Sequence, residues 1–185
     1  MTKEEILEKT TWDYYIAMGT CPVYVPLFEK EIPFIFFQDS NLTPSITEKM
    51  FECVKDILAL EKLELETIKE MLWEECYFAF SVTDYGCEPI AGETDLEANF
   101  REFGISNKED AYSKSEIIEI QIAQEYDTYS GRYAEIKINS ASDNLISIIV
   151  KNGKIIDFDD DGTNLGSFEE DEQYAKKARE KTLKT

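Results

Sequence analysis

From Ser115 to Gly162 the chain alternates apolar and polar positions with a period of two. Ile118, Ile120 and Ile122 alternate with Glu119 and Gln121, and Ala134, Ile136 and Ile138 alternate with Glu135 and Lys137. The pattern predicts four consecutive strands in an antiparallel meander, EIIEIQIAQEYD, RYAEIKINSASD, NLISIIVK and KIIDFDDDG, with one face in the core and one in water. Asn152-Gly153 separates the last two. It is a strong hairpin signal, because a type I′ turn needs positive φ at both central residues. Such a turn pairs Lys151 with Lys154, Val150 with Ile155 and Ile148 with Asp157, which places Asp157 on the face of Ile148.

The first third of the chain reads as a short helix followed by strands. Thr2 and Glu5 have the spacing of a capping box for a helix to about Lys9. From Trp12 to Phe37 aromatic and β-branched residues dominate in three runs, WDYYIAM, PVYVPLF and IPFIFF. Pro22, Pro26 and Pro33 punctuate them, and proline cannot donate to a ladder, so an edge strand or a bulge is expected here.

After the loop QDSNLTP the period changes to that of a helix. Thr43 is placed as N-cap, with Pro44 at the first helical position. Ile46, Met50, Val54, Ile57 and Leu58 then share one side. A second apolar face, Leu65, Ile68, Met71 and Leu72, runs to about Cys76, and the link around Ala59–Lys62 fits either an αα-hairpin or one kinked helix. Tyr77–Val82 reads as a buried strand or as the same helix running on. TDYGCEPIAGETD is the longest irregular stretch, and Ser106 with Glu109 forms a second capping box before a short helix to about Tyr112. The final stretch, Ser167 to Leu183, is helical, acidic at its start and basic at its end. The expected fold is therefore a single α+β domain over residues 1–185. An antiparallel sheet of N-terminal strands and C-terminal meander is packed with a helical hairpin and a C-terminal helix.

Charge changes the picture more than composition does. A 43% apolar fraction is too high for disorder, but 19 basic against 39 acidic residues leave a net charge of −20. That balance disfavours nucleic acid and anionic membranes as partners, since phosphate binding needs Lys and Arg, and it favours a basic protein. The segment MTKEEILEK lacks the apolar core of a signal peptide, and no apolar run approaches the ~20 residues that span a bilayer. Cys21, Cys53, Cys76 and Cys87 form no C-x-x-C pair and read as buried thiols in a reducing cytoplasm. The chain has no histidine, which removes Ser-His-Asp and Cys-His catalysis and histidine-ligated metals. No phosphate-cradling glycine loop or nucleophile elbow is present, so no enzyme, catalytic residue or cofactor is expected.

Two acidic loops are the candidate sites. Glu125, Tyr126, Asp127 and Tyr129, between two strands, combine tyrosines that bury large area at low rotamer cost with carboxylates that answer Lys or Arg. The same tyrosines would equally serve by folding back onto the sheet. Asp159, Asp160 and Asp161 form the second candidate. The run Asp157–Gly162 matches the first six positions of an EF-hand loop, but position 12 is Phe168, with Glu169 one residue late, position 8 is Asn164, and a strand precedes it. Calcium or small-ligand binding by this loop is the alternative to a protein contact, and an acidic structural or phage protein is a third.

The order IPFIFFQD, NLTPSITEKMFECVKDIL, a second helix to EMLWEECYFAF and a meander closing on NLISIIVKNGKIID resembles bacterial uncharacterised proteins of the DUF6985 type and related small α+β immunity proteins. The resemblance implies an immunity protein for a toxin, and with the acidic charge the expected function is a cytoplasmic immunity protein that neutralises a basic toxin by direct binding. It assigns no site residues.

Overall fold

The computed structural model describes residues 1–39, 45–162 and 164–184. Thr2 and Glu5 close the first helix reciprocally: the Thr2 hydroxyl accepts from the Glu5 N–H at 3.2 Å and the Glu5 carboxylate accepts from the Thr2 N–H at 2.7 Å. Helix α1 follows over Lys3–Lys9. Strands β1 (Thr11–Asp13), β2 (Met18–Val25) and β3 (Lys30–Phe37) come next, with a 3-10 turn at Pro26–Phe28 before β3. Within the run WDYYIAM the structure departs from the strand expectation. Tyr14–Ala17 is a turn, closed by Ala17 at φ 52°.

Helix α2 (Glu48–Leu58) is capped by Thr47, whose hydroxyl accepts from the Met50 N–H. The start expected at Thr43 and Pro44 lies outside the described residues. Helix α3 is continuous over Lys62–Val82, roughly 30 Å long at 1.5 Å per residue, so Tyr77–Val82 is helix and not strand. Helix α4 (Asp95–Phe103) has no counterpart in the expectations, although Thr94 and Glu97 form a capping box and Gly104 ends it at φ 65°. Helix α5 (Lys108–Ser113) begins one residue later than Ser106 would have it. Asn107 is the cap, while Asp110 accepts from the Ser106 N–H.

The meander follows as β4 (Glu116–Ala123), β5 (Tyr133–Asn139), β6 (Leu145–Lys151) and β7 (Lys154–Asp160), with a 3-10 turn at Gln124–Thr128 between the first two. The final helix, α6 (Leu165–Leu183), breaks at Asp171, which leaves helical backbone and caps the second segment by accepting from the Tyr174 N–H.

Among the described residues, β1–β7 form one sheet in sequence order. Five pairings are antiparallel; β3 and β4 alone run parallel, and α2–α5 supply the crossover that a parallel pair requires. The class is α+β. Pro22 and Pro33 face each other across β2 and β3. There β1 has already ended at Thr20 and the pairing of β4 has not yet begun at Phe34, so neither missing donor leaves a ladder position empty.

The helices and the inward positions of β2–β5, such as Cys21 and Val23 on β2, Phe34 and Phe36 on β3, Ile120 on β4 and Ile136 on β5, build the main core with Ile57, Ile68, Leu72 and Phe80. The opposite face is not in water, contrary to the alternation argument. Tyr133, Ile149, Leu165, Phe168 and Ala175 form a second core under α6, and Glu135 and Lys137 are buried. The hairpin turn has Asn152 at φ 52° and Gly153 at φ 74°, and it pairs Lys151 with Lys154 and Val150 with Ile155 as expected. A bulge then shifts the register, so Asp157 lies opposite Ile149 and not Ile148. This corrects the face of Asp157: it points to the second core, where it ion-pairs with Arg179 of α6. Arg179 thereby ties helix α6 to β7, the last strand of the sheet.

Candidate binding surface

The chain ends of β3 and β4 and the β1–β2 turn meet at one end of the sheet. Met18 pairs with Phe37, and Phe37 with Ala123. The Gln38 N–H donates to the Ala17 carbonyl at 3.0 Å, and the Asp39 N–H to the Gln124 side chain at 3.3 Å. Along this end stand Tyr14, Tyr15 and Ile16, all exposed, with Tyr15 at 92%. The turn is stiffened by Asp13, whose carboxylate accepts from the Tyr15 N–H at 2.8 Å. Asp13, Asp39 and Glu125, on three segments that reach this end of the sheet, are exposed as well. Sequence reasoning assigned the tyrosines to a strand. The available signal was Asp13 itself, because an aspartate in an apolar run competes for backbone N–H groups and favours a turn.

Of the first candidate loop, only Glu125 is exposed. Tyr126 and Tyr129 fold back onto the sheet and pack with Tyr133, the ring centroids lying 5.3 Å (126–129), 5.8 Å (129–133) and 6.4 Å (126–133) apart. Burial pushes the Tyr126 hydroxyl above its ordinary range and the Tyr133 hydroxyl up to about 12. Asp127 accepts from the Thr47 hydroxyl at 3.1 Å, and Lys49 donates to the Asp127 and Tyr129 carbonyls. This loop therefore docks the N-terminus of α2.

Asp159, Asp160 and Asp161 sit at the other end of the sheet, beside Ile146 and Ser147. The seven residues of β5 separate the two candidate loops, roughly 20 Å at strand rise, so the structure does not bring them together. Asp161 is ion-paired at 3.1 Å with the buried Lys137, while Asp160 is exposed and Asp159 half-buried. The calcium reading loses its geometry here. Asp157–Asp160 belong to β7, and extended backbone spaces alternate residues roughly 7 Å apart instead of wrapping them round a point. Glu169 is turned elsewhere: it accepts from the Ser130 and Gly131 N–H groups and from the Tyr133 hydroxyl. Burial acts to raise its pKa, but those donors outweigh it and hold the carboxyl down to about 2. Among the described residues, no group of three or more Cys, Asp or Glu is placed to hold a metal ion.

Cys21, Cys53 and Cys76 are buried, Cys87 is half-buried, and all four are free thiols. Burial, with Asp56 nearby, pushes the Cys53 thiol up to about 12, so it stays protonated and unreactive. No helix among the described residues is long and apolar enough to cross a membrane. The chain is thus an α+β protein of helices packed on a mostly antiparallel sheet, carrying an aromatic turn in an acidic surround. It matches no protein-family model, no curated protein and no solved structure.

Proposed function

We propose that the chain is an acidic protein-binding module, and that it acts in the cytoplasm as an immunity protein, neutralising a basic bacterial toxin by direct contact. Tyr15 carries this reading: it is 92% exposed on a turn braced by Asp13, at the end of the sheet that also carries exposed Asp39 and Glu125. A tyrosine already held on a stiff turn loses little freedom on binding and offers a large contact area. Carboxylates around it raise the encounter rate with a cationic surface, and a net charge of −20 extends that pull beyond contact distance. The four unpaired cysteines agree with a reducing compartment. The pattern resemblance to immunity proteins points the same way.

The contact set is revised accordingly. Tyr14, Tyr15 and Ile16 are the anchors; Asp39 and Glu125 steer. Immobilised wild-type chain, Tyr15→Ala and the double variant Asp39→Asn/Glu125→Gln would be presented in parallel with one bacterial lysate at low salt and eluted with rising salt. A basic protein retained by the wild type, lost from Tyr15→Ala and released earlier from the charge variant is expected. That protein should then arrest growth when expressed alone and not when co-expressed with the chain. Equal retention by all three baits would remove this end of the sheet from the interface, and a captured protein without toxicity would remove the immunity role.

A further inference from the structure

At the same end of the sheet as the aromatic turn, Gln38, Asp39, Gln121, Glu125, Tyr126 and Glu135 line a half-open pocket of about 300 Å³. Gln38 ties it to the turn, since its backbone N–H donates to the Ala17 carbonyl at 3.0 Å. Gln121 lies opposite Glu135, and Glu135 opposite Ile149 of the second core, so the pocket is on the α6 face of the sheet. Phe37 and Ala123, paired across β3 and β4, supply its apolar part. The volume is at the lower limit of a small-molecule site and suits one long side chain.

The side chains of this pocket hold acceptors and have largely spent their donors. The Gln38 amide N–H groups go to the Ser45 carbonyl and hydroxyl, at 2.6 and 3.1 Å. Gln121 donates to Glu119 at 2.6 Å, and the Tyr126 hydroxyl is hydrogen-bonded to Glu125. What the two glutamines have left is their amide oxygens. The exposed Asp39 carboxylate meets no donor among the described residues. Glu135 is the buried member, with its side chain 8% exposed. One of its oxygens takes the Lys137 ammonium at 2.9 Å. The other meets no donor among the described residues and is not one of the sealed atoms left without one, so it borders the open space that Glu135 lines.

The charge of the wall gives the sign of the occupant. No lysine or arginine lines the pocket, and Lys137, which answers Glu135, is shared with Asp161 at 3.1 Å. Burial first, and then the charges of Glu135 and Glu125, push the Tyr126 hydroxyl above its ordinary range. A metal ion would need the carboxylates gathered round one point, and no three of them among the described residues are so placed. Separated acceptors call for a donor with reach. A guanidinium carries five N–H groups in a planar fork, whereas an ammonium carries three at a point.

We infer that this pocket receives an arginine side chain of the protein partner. The guanidinium donates to the open oxygen of Glu135 and to the rim carboxylates of Asp39 and Glu125, and the stem lies against Phe37 and Ala123. The inference rests on the protein-binding reading above and names the residue that this surface takes from its partner.

Three capped amino acids test it without any partner: N-acetylarginine amide, its uncharged isostere N-acetylcitrulline amide, and N-acetyllysine amide. Each is titrated into the full chain at low salt and followed by amide chemical shifts. The arginine probe should saturate about tenfold more tightly than the citrulline probe, the worth of one charge-assisted hydrogen bond, and more tightly than the lysine probe. Its shifts should centre on Phe37–Asp39, Gln121–Tyr126 and Glu135. Ala123→Phe should fill the pocket and abolish saturable binding, and Glu125→Gln, at the exposed rim, should weaken it severalfold, both with melting temperatures near that of the wild type. Glu135→Gln should weaken it as well, but it also strands Lys137, so the first two variants carry the test if this one does not fold. Absence of saturable arginine binding, equal affinity for the citrulline or lysine probe, or binding untouched by Ala123→Phe would overturn the inference. Arginine binding at the pocket with no protein captured from the lysate would support the inference and count against the toxin reading alone; capture without arginine binding would overturn the inference and leave that reading standing.

Discussion

The Lys137 ammonium lies 2.9 Å from the Glu135 carboxylate, two residues away on the same strand, and both side chains are more than nine-tenths buried. Ser147 and Asp161 complete the shell of the lysine, at 2.6 and 3.1 Å. In a chain with twice as many acids as bases, one of the bases is thus spent inside, on the sheet face covered by α6. The pair sets the polarity of that face. Removing one partner strands the other charge, whereas replacing both by apolar groups does not.

Lys137→Met should therefore destabilise the protein by about 3–5 kcal/mol, and Lys137→Met/Glu135→Leu should recover most of that loss. Urea unfolding of the two variants decides it. A single variant within about 1 kcal/mol of the wild type would mean that the lysine works as a solvated surface charge.

Glu169 makes stability depend on acid pH. Its folded-state carboxyl sits at about 2, against an ordinary value of 4.5, because the donors from Ser130, Gly131 and Tyr133 outweigh its burial. A depressed folded pKa gives stabilisation that is whole above the unfolded value and is lost as pH falls through the folded one. The expected window runs from about pH 4.5 down to about pH 2. Glu169→Gln should flatten the slope of the urea midpoint in that window and leave the slope between pH 5 and 7 unchanged.

Thr47 serves two elements at once. Its hydroxyl accepts from the Met50 N–H as the cap of α2 and donates to Asp127 in the turn after β4. Thr47→Ala should cost about 1–2 kcal/mol, the sum of a lost cap and a lost bond to a charged acceptor with partial compensation by water. Thr47→Ser should restore most of it. A full-sized loss in the serine variant would locate the effect in the methyl group.

Gly19 is required by the ring that crosses it. A Cβ at this position would stand 2.5 Å from the Trp12 ring and 2.7 Å from the Thr10 methyl, inside any tolerable contact. Gly19→Ala should displace Trp12, cost about 1–3 kcal/mol and red-shift the emission of Trp12 in a Trp73→Phe background. An unshifted spectrum would show that the ring does not lie on the glycine.

Tyr15→Ala should leave the free energy of unfolding in urea within about 0.5 kcal/mol of the wild type, as exposed positions do, while removing the captured partner. Equal loss of stability and binding would make the tyrosine a structural residue.

How far the chain could be read depended on the range of the forces involved. The meander was legible because alternation is a local property, and Thr2, Glu5, Asn152 and Gly153 act within a turn of their own backbone. Thr94 and Glu97 carried the same kind of signal for α4. The bulge near Asp157 was not legible, since no local residue type marks it and the Arg179 that meets Asp157 comes from a remote helix. Tyr15 was misread because a buried strand and an exposed aromatic turn share one local composition.

The sequence by itself determined the strands and most of the helices, the turn at Asn152-Gly153, the acidic charge and the absence of histidine chemistry, all of which follow from residue type and near-neighbour spacing. Tertiary structure alone decided the parallel join of β3 to β4, the burial of Lys137 and Glu135 and the inward turn of Tyr126 and Tyr129. Each of these depends on which remote segment covers a face, and coverage is settled by the packing of the whole chain and not by the residues beneath it.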